Sequence, residues 1–310
     1  VIASSFILIG LISLSYILAS KPLILVFLRG IEGIAWAMFW PAIEAGTASL
    51  SRDLEEGLRN YNIGWSTGAT LGPLLTGFAV TYLGVFGIFY IASTITFLSC
   101  FIVSSFMRGS EFSVSKIGEV GFRSALNILK NSRFLYLPLT SSFFYSFITS
   151  TVLTFFPPYA VHMGLSVLEV GFLAFLYGVA RTCSFLFARH VQKRFKSAVI
   201  IELFTPLLCF TPVLIYLGYS KILYYASFLL MGIFVGLTYS CSLFTVMEKA
   251  GRRRGLYAGL FESAIGLGYM TGPLFGGFTS GFSLSAPYIL CGFIGLALVL
   301  TQSILKLVKK

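Results

Sequence analysis

Charge is scarce in this chain, and acidic charge most of all. Only 11% of its 310 residues are charged, with 11 Asp and Glu against 22 Lys and Arg. A soluble domain carries about 25%. Histidine is nearly missing (2 residues), and the five cysteines, Cys100, Cys183, Cys209, Cys241 and Cys291, lie singly within apolar runs. That spacing suits neither a zinc site nor an extracellular disulfide framework, and it reads as core filler. There is no Gly-rich phosphate loop and no His-Glu-x-x-His stretch, so nothing marks an ATP-driven pump or a zinc hydrolase. No metal and no cofactor are expected. A signal peptide's charged flank and cleavage site are lacking too, and Val1 already stands inside an apolar run, which predicts a natural N-terminus further upstream.

What the sequence has instead is apolar surface. Hydrophobic residues make up 57% of the chain and aromatics 16%. No soluble packing hides that much, so the expected solvent is the lipid bilayer. Runs long enough to cross hydrocarbon fall at about 1–20, 22–47, 58–82, 84–106, 134–158, 167–188, 197–218, 222–247, 256–281 and 284–307, ten in all. The net charge of +11 does not point to nucleic acid, because the basic residues sit in short loops between these runs. One set of alternate loops, with the tail, holds Arg52, Arg59, Arg108, Lys116, Arg123, Lys130, Arg133, Arg189, Lys193, Arg194, Lys196, Lys249, Arg252 to Arg254, Lys306, Lys309 and Lys310. The opposite loops hold only Lys21 and Lys221. By the positive-inside rule the first set and both chain ends face the cytoplasm. The long polar connection 107–133 divides the chain into a four-span bundle, 1–106, and a six-span bundle, 134–310. Within it Ile117, Val120, Leu126, Ile128 and Leu129 alternate with charges, a pattern suited to a helix lying on the membrane surface.

The two halves share a motif. Gly64-Trp-Ser-Thr-Gly68-Ala-Thr-Leu-Gly72-Pro73-Leu-Leu-Thr-Gly77-Phe78 returns as Gly268-Tyr-Met-Thr-Gly272-Pro273-Leu-Phe-Gly276-Gly277-Phe278, with Gly68, Gly72, Pro73, Gly77 and Phe78 among the identities 200 positions apart. Glycines four apart stack on one helix face and let a second backbone come close. Each glycine-proline step removes a helical hydrogen bond and predicts a bend. Pro138, Pro206 and Pro212 mark further candidate kinks. Matching bent helices in related halves are a common plan of secondary transporters.

Candidate chemistry lies on the second span. Arg29, Glu32, Trp36, Trp40, Glu44 and Thr47 recur every three or four residues and so share one stripe. Ionisable groups facing lipid cost several kcal/mol, which turns this stripe towards protein or a watery cavity. Arg29 and Glu32 can pair directly. Glu32, near the midplane, is a candidate proton or substrate group; a static ion pair is the alternative. Trp36 and Trp40 suit a flat or cationic solute, and helix filler is the plain reading of both. Glu262 is a second intramembrane acid, with Asn62 at its repeat position. Arg181 lies too deep to snorkel and requires a carboxylate or a cavity. Asn60 and Asn62 are alternatively helix caps. Glu169 and Glu202 read as interfacial, and His162 and His190 as solvated loop residues.

Two of these stretches resemble the Major Facilitator Superfamily. Leu25-Val-Phe-Leu-Arg29-Gly-Ile-Glu32-Gly33-Ile-Ala35 is similar to that family's fourth-helix pattern, with Glu32 where Gln is usual. Gly68-Ala-Thr-Leu-Gly72-Pro73-Leu-Leu-Thr76-Gly77 is similar to its fifth-helix antiporter pattern, with Thr76 replacing one glycine. The resemblance implies an all-α polytopic fold holding ten of the family's twelve helices, the third to the twelfth, in two pseudo-symmetric bundles. The family's signature loop between its second and third helices would then precede Val1. Its second-half echo, at Ala188-Arg-His-Val-Gln192-Lys193-Arg194-Phe195-Lys196, keeps the charges and loses Asp and Gly. The implied function is secondary active transport of a small organic solute by a monomer in the plasma membrane. The fifth-helix pattern favours proton-coupled export, and a proton-coupled uptake symporter for a sugar or organic acid is the alternative. The expected half-site is Arg29, Glu32, Trp36, Arg181 and Glu262. A membrane-bound transferase would need a clustered acid, His or metal group that the sequence lacks. The ten spans alone are expected to transport nothing.

Overall fold

The computed structural model describes residues 1–106, 122–218 and 220–308, and every long element in them is a helix. These are α1 (Ile2–Ile17), α2 (Pro22–Leu50), α3 (Leu54–Leu83), α4 (Gly87–Phe106), α5 (Phe122–Asn131), α6 (Tyr136–His162), α7 (Val167–Arg194), α8 (Ser197–Phe210), α9 (Val213–Tyr216), α10 (Lys221–Lys249), α11 (Arg254–Ser280) and α12 (Ala286–Val308). The ten expected spans each correspond to one of these helices, the seventh to α8 and α9 together. Among the described residues, six of the helices are long and apolar enough to cross a membrane by length and composition alone. The glycine-rich α3 and α11 belong to the same fold without reaching that measure of apolarity.

Local chemistry explains the boundaries. Pro22 opens α2, where its missing N–H costs nothing. The Asp53 carboxylate accepts from the Glu55 and Glu56 amides at 3.0 and 3.4 Å and so caps α3. Asn60 and Asn62 therefore do not start that helix; they lie two turns inside it. A capping box, Ser166 with Glu169, starts α7. Gly164, at φ +83°, closes the preceding turn in the left-handed region. Of the candidate kinks, Pro138 sits in the first turn of α6 at no cost, Pro206 lies inside α8, and Pro212 separates α8 from α9. α11 runs unbroken past Pro273, and α3 runs unbroken past the matching position. The surface-helix expectation falls partly on 107–121, outside the described residues; the remainder is α5, whose Ile128 packs against the main core.

α1 packs on α2 and α4, α6 to α12 pack mainly on one another, and the two groups meet along α2–α11, α3–α7 and α3–α10, with α3 packed more on the second group than on the first. The largest apolar cluster lies in the second group and reaches across to Ala48 and Leu58 of the first. Exposed Leu, Ile, Val and Phe cover the outer faces, among them Phe27, Leu98, Phe187 and Phe278. That is the surface a bilayer would solvate.

Candidate functional site

Where α2 and α11 face each other they leave a cavity of about 570 Å³. Its wall is aromatic: Trp36, Trp40, Trp65, Tyr145, Tyr239 and Tyr269, with the Glu262 carboxyl and the Ser263 hydroxyl as polar points. All three tryptophans of the chain are in this wall. The helical spacing of Trp36 and Trp40 stacks their rings at 5.7 Å and 20°. Trp65 stands edge-on to Trp40 at 6.4 Å and to Tyr239 at 5.4 Å. Offset and edge-on contacts of this kind hold the rings in place while leaving faces free for a flat solute.

Beneath the cavity the two groups of helices are fastened by polar contacts. Glu44 is fully buried, its carboxyl against that of Glu262. Its Oε1 accepts from the hydroxyls of Tyr239 at 3.0 Å and Tyr61 at 3.4 Å. Asn62, also buried, donates to the Ser240 hydroxyl at 3.2 Å and accepts from the Trp65 indole at 3.4 Å. Ser66 and Thr182 share a hydrogen bond of 2.8 Å. Closer to the basic loops, the Arg189 guanidinium spans Asp53 at 2.7 Å and Glu55 at 3.1 Å. There too, Arg254 donates to the Ala48 carbonyl. The molecule is thus closed on the basic-loop side of the cavity.

Arg181 is buried, at 7% exposure. Its Nε donates to Ser66 at 2.9 Å and Nη1 to Tyr177 at 3.3 Å. The guanidinium lies over the rings of Trp65 at 4.6 Å and Tyr177 at 5.0 Å. The cation therefore backs the cavity's Trp65 wall and is held by neutral hydroxyls and π faces.

Arg29 and Glu32 lie apart from this group. Their ion pair, 2.8 Å, sits on α2 against α1, where Glu32 also accepts from Tyr16 at 2.5 Å and from the Trp36 indole at 3.3 Å. Neither residue lines the cavity, and the Arg29 side chain is 73% exposed. Of the sequence candidates, Trp36, Trp40 and Glu262 converge on the cavity, and Glu44, Asn62 and Arg181 form the layer around its base. Sequence reasoning missed Trp65, Tyr61, Tyr145, Tyr239, Tyr269 and Arg189. Trp65, one turn after Asn62, was the legible signal among them; the tyrosines are lost among 16 of their kind.

The glycine motif divides. In α11, a methyl group added at Gly268 or Gly272 would collide with the Phe143 or Phe147 carbonyl of α6, and Gly276 lies against the Phe155 ring. The expected close approach of backbones is therefore present there. In α3 the equivalent Gly64, Gly68 and Gly72 meet nothing within 4 Å. Their stripe points away from the helices that α3 packs against. A close approach that the sequence did not single out, Gly232 and Gly236 against the backbone of Tyr177 to Arg181, joins α10 to α7. Among the described residues there is no cluster of His, Cys, Asp and Glu that would hold a metal ion. His162 and His190 are exposed, in the last turns of α6 and α7 rather than in loops.

Comparison with known proteins places this geometry. No curated protein sequence matches the chain. Among solved structures, it is similar to the human organic anion transporter MFSD10 (TETRAN), with TM-score 0.74 and 18% identity over 96% of this chain and 75% of that one. It is similar to the transporter FucP in the outward conformation, with TM-score 0.71 and 13% identity over 96% and 80%. It is also similar to a bacterial homologue of the iron transporter ferroportin in an outward-facing state, with TM-score 0.64 and 16% identity over 96% and 78%. At these identities the likeness is one of fold. The family model of the Major Facilitator Superfamily matches residues 1–262, and with most of its length accounted for in this way the chain belongs to that superfamily of secondary transporters.

Proposed function

We propose that this protein exports small aromatic or cationic organic solutes across the plasma membrane by alternating access, in exchange for protons. The observation that carries the reading is the aromatic cavity, fastened on its basic-loop side by contacts between the two groups of helices. A cavity of about 570 Å³ falls in the range of small-molecule sites, about 300–1,000 Å³. Six aromatic rings and one carboxyl suit a flat cation, through π contact and charge together. With the basic loops in the cytoplasm, as their Lys and Arg content argues, the closed side is cytoplasmic and this conformation faces outward. The halves 1–106 and 134–310 would rock about that cavity as a monomer in the bilayer, with 107–133 as their cytoplasmic linker. Arg29 and Glu32, held within the first group, would fix α1 against α2 as it moves.

A second reading rests on Arg181. A buried guanidinium whose hydrogen-bond partners among the described residues are neutral hydroxyls, behind Trp65, favours an anionic solute taken up with protons. Counterflow in proteoliposomes distinguishes the two. Tetraphenylphosphonium, an aromatic cation, is expected to move against an imposed proton gradient. Movement of an aromatic carboxylate with the gradient, and none of the cation, would replace export by uptake. Because the ten spans alone are expected to transport nothing, counterflow is read on the polypeptide extended upstream by the two further helices, and flux of neither solute there would remove the transport reading.

A further inference from the structure

We propose that Glu44 and Glu262 together bind one proton, and that this shared proton fastens the two groups of helices on the basic-loop side. The inference rests on the transport reading for its purpose, but its chemistry stands on the site alone. Glu44 has no exposure, and among the described residues its Oε2 has no hydrogen-bond donor, whereas Oε1 has two tyrosine hydroxyls. The Glu44 carboxyl lies against that of Glu262, itself an acceptor when ionised. One proton between the two carboxyls turns this clash of acceptors into a hydrogen bond and satisfies the orphaned oxygen. Glu44 cannot exchange that proton with water directly. Glu262 can, because it forms part of the cavity wall.

The repeat shows why the pair is built this way. Asn62 and Glu262 occupy equivalent positions 200 residues apart, and each reaches across to a helix of the opposite half. Asn62 of α3 bonds Ser240 of α10, a neutral contact that needs no proton. Glu262 of α11 meets Glu44 of α2, which is one turn from the position equivalent to Ser240. The same architectural contact thus exists twice, once insensitive to protons and once dependent on one. The other titratable and charged groups facing the pair are Tyr61 from α3, Tyr239 from α10 and Tyr145 from α6. One turn past Glu44 towards the basic loops, the Ala48 carbonyl accepts from Arg254 of α11. Arg181 of α7 stands beyond the Trp65 ring. When the proton leaves, two carboxylates repel across the α2–α11 contact, and closure loses its central fastener.

Two substrate-free measurements test this, so that an absence of flux would overturn the proposed function without touching this inference. Infrared difference spectra of the purified protein in nanodiscs are expected to show a protonated-carboxyl band. That band should be lost in both Glu44→Gln and Glu262→Gln and kept in the surface control Glu56→Gln. Electron-electron distances are then read between spin labels at Arg52→Cys and Lys193→Cys, with the five native cysteines replaced. They should lengthen in the otherwise native protein as the band titrates away. In Glu262→Gln the amide N–H stands in for the proton, so the distance should stay short at every pH. A band that survives both substitutions, or a Glu262→Gln protein whose distances follow pH as the native ones do, would refute the shared proton. Thermal unfolding curves confirm that the variants compared are folded.

Discussion

Arg189→Gln should open the basic-loop side of the molecule by a calculable amount. The guanidinium bridges Asp53 and Glu55 across the two groups of helices, at 2.7 and 3.1 Å. All three side chains are partly exposed, at 29%, 40% and 28%, so solvent screens both pairs. Each pair is then worth about 0.5 kcal/mol, and the two together about 1 kcal/mol. That energy corresponds to roughly a fivefold shift of the closed-to-open ratio towards open. The change leaves the helix start intact, because Asp53 caps α3 through Oδ1 and meets Arg189 through Oδ2. The spin-label pair at positions 52 and 193 reads the populations directly. A Glu55→Gln background should roughly halve the effect, and about 1 M salt should shrink it further. Unchanged populations at low salt would refute the assignment of these pairs as a fastener. So would a shift that about 1 M salt does not diminish.

The repeat glycines give a paired test. Gly268→Ala drives a methyl into the Phe143 carbonyl and should cost about 1–3 kcal/mol of stability, whereas Gly68→Ala meets open space and should be neutral or stabilising by up to about 1 kcal/mol; thermal unfolding in one detergent compares them. Trp40→Ala removes the ring stacked on Trp36 and should weaken tetraphenylphosphonium binding about 3- to 10-fold, measured by equilibrium dialysis. Arg181→Lys should destabilise the protein nearly as much as Arg181→Ala, since an ammonium group reproduces neither the planar stacking on Trp65 and Tyr177 nor the fork reaching Ser66 and Tyr177; equal stability of Arg181→Lys and the native protein in melting curves would contradict this.

The helices, their order and the lipid-facing surface were legible in the sequence because they depend on local quantities. A run of apolar residues is long enough to span hydrocarbon or it is not, and a capping side chain acts within a few residues of itself. The 200-residue repeat was legible for the same reason, since Gly268 and Gly272 lie four apart whatever they touch. The site was only partly legible. Periodicity placed Arg29, Glu32, Trp36, Trp40 and Glu44 on one stripe of α2, but a stripe on a 29-residue helix is some 40 Å long. Its two ends meet different neighbours: Tyr16 and Arg29 enclose Glu32, while Tyr61, Tyr239 and Glu262 enclose Glu44. The Arg29–Glu32 pair follows from local spacing, but the partners of Glu44, Tyr239 and Glu262, lie some 200 positions away in the chain, and no local spacing encodes these. Tertiary packing alone decided that the glycines of α11 press against α6 while those of α3 stand open, and that three tryptophans from two helices close on one cavity.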